Sequence, residues 1–91
     1  MKHKLKILPA FFEAVASGDK NFEVRDNNDS GFQRGDTVRL CEYTKDGMYT
    51  GREIEKHITY VSNFGLLDGY VVFGIADVVP NVEGEPGRDK L

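Results

Sequence analysis

The chain opens with an alternation of apolar and basic positions that predicts a strand from His3 to Ile7. One face would carry His3, Leu5 and Ile7, and the other Lys2, Lys4 and Lys6. This period of two is typical of a half-buried strand. A row of lysines usually marks a solvated face that discourages edge pairing; a phosphate-binding stripe is the alternative.

A helix is predicted next, from Pro9 to the residues before Gly18. Proline suits the first helical position, where its missing N–H costs nothing, and glycine suits a left-handed end. The apolar positions recur at the spacing of one helical face: Leu8, Phe11, Phe12 and Val15. We expect both phenylalanine rings to lie in the core.

Four further strands follow. In the second, Asn21–Arg25, alternation places Phe22 and Val24 on one face, which we expect to anchor the strand in the core. Glu23 and Arg25 would then lie side by side on the other face. The pattern continues with a third strand through Val38 and Leu40, in which Arg39, Cys41 and Tyr43 share the other face.

The last two strands are separated from the third by a hairpin turn at Lys45-Asp46-Gly47. The long fourth strand, Gly51–Val61, places Ile54, Ile58 and Tyr60 on one face; Lys56 interrupts that face and predicts an exposed or bulged middle. The nearly apolar fifth strand, Tyr70–Ile75, is typical of a strand covered on both sides.

Five short strands and one N-terminal helix predict a mostly β, α+β fold. So few elements in about eighty residues would curl into a small pseudo-barrel with the helix plugging one end. We expect one domain over residues 1–79 and a flexible tail over 80–91, where proline, glycine and mixed charges are concentrated.

Charge and composition restrict the function. The net charge is −3, and the predicted tail contains only three of the fifteen acids and two of the twelve bases. The body is therefore acidic, which excludes a protein held on nucleic acid by bulk charge alone. No signal peptide and no apolar run of the ~20 residues that span a membrane are visible. With a single cysteine, we expect a soluble cytoplasmic protein without a membrane partner.

The leading candidate site is Lys20, Glu23 and Arg25, three ionisable groups in one short segment. They are compatible with an ion-pair network at the barrel rim, where an exposed pair contributes about 0–1 kcal/mol. Alternatively they line a polar cleft. Arg25 would bind a phosphate or base edge as a planar fork, Lys20 would add a positive charge, and Glu23 would accept from an exocyclic amine.

Arg39, Tyr43 and Arg52 form a second group of candidates. Cations and aromatics interleaved on a sheet suit a single-stranded ligand, because bases stack and phosphates pair; a solvated sheet face is the alternative. His3 and His57 are the only histidines. They are too few for a metal site, and we expect no cofactor. Cys41 reads as a small buried hydrophobe rather than as a nucleophile paired with His57.

Several blocks of residues resemble a known family. Gly18-x-Lys20-x-x-Glu23-x-Arg25 resembles the GxKxxExR signature of the ASCH domain, a branch of the PUA-like superfamily. Further blocks in this order resemble the DUF3850 family of bacteria and phages, and the likeness covers roughly residues 3–77. These blocks are residues 3–9, 11–15, 32–36, 49–53 and 69–72.

The resemblance implies a PUA-like pseudo-barrel that binds RNA or a nucleotide in a cleft beside the first helix. It also points to an enzyme alternative, because one ASCH protein is an N4-acetylcytidine amidohydrolase with a Lys, Thr and Glu triad. Lys20 matches that lysine, whereas Glu23 stands where the enzyme has its threonine. We expect a small RNA- or nucleotide-binding module that uses Lys20, Glu23 and Arg25.

Arg39, Arg52 and Tyr43 would assist this module. In the amidohydrolase alternative, Lys20 would act as base or nucleophile and Glu23 would shuttle protons. The third alternative is a protein-interaction module.

Overall fold

Over the residues that the structure describes, the fold is a five-stranded sheet curled into a half-barrel, with one short helix. The computed structural model describes residues 1–28 and 30–78. Its elements are β1 (Lys2–Ile7), α1 (Pro9–Ser17), β2 (Phe22–Asp26), β3 (Thr37–Tyr43), β4 (Tyr49–Ser62) and β5 (Tyr70–Asp77). The predicted α+β pseudo-barrel with one N-terminal helix is confirmed. The predicted tail, 80–91, lies outside the described residues.

The strand order places the first two strands of the chain at opposite edges of the sheet. The order is β1-β3-β4-β5-β2; β1 is parallel to β3, and all other neighbours are antiparallel. The chain therefore leaves one edge after β1, passes through α1, and enters the other edge as β2.

The sheet has an inner face, which we define as the side whose residues form the core, and an opposite outer face. Val38 and Leu40 of β3 lie on the inner face with Ile58 of β4 and Phe73 of β5, and all four are almost fully buried. The core also contains Ile7, Phe12, Val15, Phe32, Val71 and Ile75.

Helix α1 begins and ends where the sequence predicts. Pro9 occupies its first turn, and Gly18 follows it in the left-handed conformation with φ 87°. Phe12 is buried, but Phe11 is 51% exposed, so the prediction of two core phenylalanines is wrong for Phe11. Neighbouring helical residues point about 100° apart, and a single packed face of a nine-residue helix accommodates only one of the two rings. No helix in 1–28 or 30–78 is long and apolar enough to cross a membrane.

Strand β2 faces the opposite way from the prediction. Phe22 and Val24 are on the outer face, both more than two fifths exposed, whereas Glu23 is buried and Arg25 is half-buried. The register with β5 explains this orientation, because Glu23 is opposite the inner residue Phe73. Alternation determines which residues share a face but not which face turns inward.

Two irregularities interrupt β4 at positions other than the one that the sequence predicts. A register shift between Ile58 and Tyr60 turns Tyr60 outward, so the prediction that it shares the face of Ile58 is wrong. The predicted disturbance at Lys56 does not occur there, since Lys56 keeps its register opposite Val38. A second shift, around Gly51, accompanies a φ of 95° at that residue.

Strand β5 is covered completely on its inner face only. Val71, Phe73 and Ile75 are buried, whereas Val72 and Gly74 on the outer face are half-buried. The prediction of full cover on both sides is therefore wrong, because β5 alternates despite its apolar sequence.

Candidate functional site

The structure brings Lys20, Glu23 and Arg25 together in one cluster, which we call the motif cluster. Glu23 is only 4% exposed. Its Oε2 accepts a hydrogen bond from the Lys20 ammonium, and its Oε1 accepts from Arg25 Nε at 3.0 Å and Nη2 at 2.9 Å. A buried carboxylate therefore holds two cations, which is the arrangement that makes burial of a charge tolerable.

The position of Lys20 follows from the end of α1. After Gly18 the chain turns back, and Lys20 N–H donates to Ala14 O at 3.0 Å. The side chain then folds along β2, and Nζ donates to Phe22 O at 2.9 Å. This geometry fixes the ammonium in place before any ligand binds.

Two exposed aromatic rings flank the Lys20 ammonium. Nζ lies 5.6 Å from the ring centroid of Phe11 and 5.1 Å from that of Phe22. At these distances a cation is attracted to the ring face. Sequence reasoning assigned both rings to the core and so missed them as candidate ligand contacts.

Arg25 also connects the two edges of the sheet. Its Nη2 donates to the Lys6 carbonyl oxygen at 3.0 Å. Lys6 is in β1 and Arg25 is in β2, so this hydrogen bond crosses the seam of the half-barrel. The motif cluster therefore lies where β1, α1 and β2 meet.

A second cluster on the inner face surrounds Glu42 of β3. This carboxylate is buried and accepts from Thr50 Oγ1 at 2.6 Å, and from Arg52 Nε at 3.0 Å and Nη2 at 2.9 Å. The hydrogen bonds from Arg52, then Thr50, lower the pKa of Glu42 from its ordinary 4.5 to about 2. The same contact with Glu42 raises the pKa of Arg52.

Arg52 links the sheet to the helix. Its Nη2 donates to Glu13 of α1, and its guanidinium carbon lies 4.5 Å from the Phe12 ring centroid. The sequence prediction included Arg52 but missed Glu42. The available signal was its position, because alternation from Val38 and Leu40 places Glu42 on the buried face.

Arg39 and Tyr43 are not near the motif cluster; they lie on the outer face. Arg39 Nε is 3.8 Å from Glu53 Oε1. The Tyr43 ring packs edge-on against Tyr49, with centroids 4.9 Å apart. The predicted assisting residues are therefore split between the two faces, with Arg52 inside and the other two outside.

The histidines and the cysteine are also separated. His57 Nδ1 lies 3.1 Å from Asp77 O, whereas Cys41 is buried beside Glu53, and burial raises the pKa of its thiol. His3 Nε2 lies 2.8 Å from Asp36 Oδ2 and lowers the pKa of that carboxyl. Within 1–28 and 30–78 no group of three or more His, Cys, Asp or Glu residues is placed to hold a metal.

Comparison with known proteins identifies one family. A family model described as "Domain of unknown function (DUF3850)" matches residues 2–75. The chain is also similar to a protein of Escherichia phage P2 described as "Uncharacterized 12.9 kDa protein in GpA 3'region". The two are 37% identical over 71 residues, which span 77% of this chain and 63% of the phage protein.

Proposed function

The chain belongs to the DUF3850 family, and we propose that it is a small RNA- or nucleotide-binding module of the ASCH, PUA-like type, with its ligand held at the motif cluster. The observation that carries the proposal is the buried Glu23 carboxylate, which holds Lys20 and Arg25 in fixed positions beside α1. The kind of ligand follows from the parts of these two cations that remain exposed to solvent.

The two cations remain accessible although their partner is buried. The Lys20 side chain is 18% exposed and that of Arg25 is 24% exposed, against 5% for Glu23. Two positive charges around one negative charge leave a net charge of +1, which favours an anion such as a phosphate. Because both side chains are already ordered, binding loses less conformational entropy than it would with free side chains.

The exposed rings of Phe11 and Phe22 support a nucleobase as the rest of the ligand. Unpaired bases stack on aromatic side chains, and this contact contributes about 1–3 kcal/mol per base. Phosphate at the cations and base at the rings together match a nucleotide or an unpaired RNA nucleotide.

The hydrogen bonds of Lys20 favour binding over amide hydrolysis. Its Nζ donates to Glu23 and to Phe22 O, so the group is oriented as a hydrogen-bond donor between a carboxylate and a carbonyl oxygen. Glu23 also lacks the hydroxyl that the related amidohydrolase has at this position.

Isothermal titration calorimetry with nucleoside monophosphates and short unpaired RNA at low salt tests the proposal. We expect Arg25→Gln to weaken binding about tenfold or more, because a charge-assisted hydrogen bond is lost. Phe11→Ala should weaken the binding of nucleotides more than the binding of inorganic phosphate, because only nucleotides have a base that stacks on the ring. The control is Arg34→Gln, which removes one positive charge from the turn before β3.

Three results would contradict the proposal: no binding by the unaltered chain, equal losses in Arg25→Gln and Arg34→Gln, or release of cytidine from N4-acetylcytidine. The last would establish the amidohydrolase instead.

A further inference from the structure

Positive charge is concentrated on the outer face of β1 and β3. In register, Lys2 is opposite Thr37, Lys4 is opposite Arg39, and Lys6 is opposite Cys41. The outer positions of these two strands thus hold four cations and no carboxylate. This local excess contrasts with the net charge of −3 for the whole chain.

Aromatic rings extend this basic surface at one end. Lys6 Nζ lies 4.5 Å from the Tyr43 ring centroid, and Lys4 Nζ lies 4.9 Å from that of Tyr49. Tyr49 is half exposed. Tyr43 is half-buried, so Tyr49 is the ring of this pair that is open to solvent, and cations and aromatic groups alternate along one stretch of the sheet.

A small cleft lies at the other end of the surface. It has a volume of about 140 Å³ and is lined by Lys2, His3, Lys4, Thr37, Arg39 and Glu55. Of its six lining residues, three are lysines or arginine and one, Glu55, is acidic. Its size and charge suit a single phosphate group.

We infer that this outer face of β1 and β3, with Tyr49, is a second site that binds the backbone of single-stranded nucleic acid. Alternate residues of a strand are about 6.6 Å apart, so the lysine row presents a regular series of positive charges to successive phosphates. The exposed ring of Tyr49 selects an unpaired strand, because the bases of a duplex already stack on each other. Two carboxylates of β4 adjoin Arg39 within this surface: Glu53 Oε1 lies 3.8 Å from Arg39 Nε, and Glu55 lines the cleft, so the lysines carry most of the positive charge offered to a ligand.

This inference goes beyond the proposed function and does not depend on it. The motif cluster belongs to β2, which is at the opposite edge of the sheet from β1. A nucleotide at the motif cluster and a strand on the outer face would therefore use different residues.

The test measures the affinity of a fluorescent oligouridylate as a function of salt. The Lys4→Gln/Lys6→Gln double variant removes two positive charges from the surface. Its matched control, Arg34→Gln/Lys45→Gln, has the same net charge but is altered in turns. We expect the first variant to weaken binding about tenfold at low salt and to reduce the salt slope by about 1.4, the contribution of two single-strand phosphate contacts.

Tyr49→Leu should weaken the binding of the same oligonucleotide about fivefold or more. The salt slope should stay unchanged, because the substitution removes a stacking ring and no charge. Circular dichroism verifies that each variant is folded. The inference is overturned by equal losses in the two double variants, by equal affinity for duplex, or by self-association of the lysine variant with unchanged RNA affinity.

The two sites fail independently. Nucleotide binding that depends on Arg25, without tighter binding of oligouridylate, overturns only the outer-face site. Oligouridylate binding that depends on the lysines, without nucleotide binding, overturns only the motif cluster as a ligand site.

Discussion

At the scale of single residues, two buried carboxylates dominate the inner face. Glu23 and Glu42 are each held by an arginine and by a second donor, Lys20 or Thr50. Burial of an unpaired carboxylate is costly, so each depends on its donors. The two clusters differ in net charge. Two cations, Lys20 and Arg25, surround Glu23 and leave an excess positive charge, whereas the single cation Arg52 is shared by Glu42 and Glu13.

Glu42 makes stability depend on pH. Its pKa is about 2 in the folded chain against an ordinary 4.5, so it stabilises the fold above about 4.5 and loses that contribution as the pH falls toward about 2. Glu42→Gln should therefore lower the urea midpoint most at neutral pH, and the difference from the unaltered chain should shrink below about 4.5.

The control for Glu42→Gln is Glu13→Gln, which disturbs the same arginine from the exposed side of α1 and should change the midpoint little. Parallel pH profiles for Glu42→Gln and the unaltered chain would show that Glu42 does not contribute in this way.

At the scale of elements, the sequence predicts best what local chemistry determines. Pro9 and Gly18 set the limits of α1, and Lys45-Asp46-Gly47 sets the hairpin, because these residues act on their own backbone. Which face of β2 turns inward depends on its pairing with β5, about fifty residues away in sequence. Alternation alone therefore led to the wrong prediction that Phe22 and Val24 face the core. The register shifts in β4 likewise depend on neighbouring strands.

The same limit applies to the candidate site. Lys20, Glu23 and Arg25 are close in sequence, so alternation and the turn were enough to predict that they meet. Glu42 and Arg52 meet across the β3–β4 hairpin because the register that pairs Leu40 with Ile54 continues to place Arg52 opposite Glu42. Alternation within each strand does not reveal which residues of the two strands are paired across the hairpin.

Gly51 should be essential to the second cluster. Its φ of 95° is strained for residues with a side chain, and it separates Thr50 from Arg52, which both bind Glu42. Gly51→Ala should lower the free energy of unfolding by about 1–2 kcal/mol, measured by urea titration. Gly51→Asn should cost less, since asparagine tolerates positive φ better. Equal and negligible losses would show that the backbone relaxes without strain.

At the scale of the whole molecule, the two edge strands of the described sheet, β1 and β2, face each other across a seam. Arg25 crosses it by donating to the Lys6 carbonyl while it binds Glu23. The motif cluster therefore has a structural role in addition to the proposed ligand site. A ligand that binds Arg25 would therefore compete with the hydrogen bond from Arg25 to the Lys6 carbonyl, which joins the two edge strands.

Arg25→Lys tests the structural role separately. Lysine keeps the charge opposite Glu23 but lacks the fork that also reaches Lys6. We expect a loss of about 0.5–1.5 kcal/mol, together with faster amide hydrogen exchange in β1 and β2 than in β3 and β4. Arg52→Lys, which leaves the seam intact, is the control. Uniformly faster exchange across all strands would contradict a local role for the seam contact.

The strand order also has a consequence for synthesis on the ribosome. Strand β2 is made early, yet within the described residues its sheet partner is β5, the last strand. Until β5 has left the exit tunnel, Phe22 and Val24 belong to an unpaired segment, which is when nascent chains are most prone to aggregate. Closure of the sheet is thus a late, long-range event that waits for nearly the whole domain to be translated.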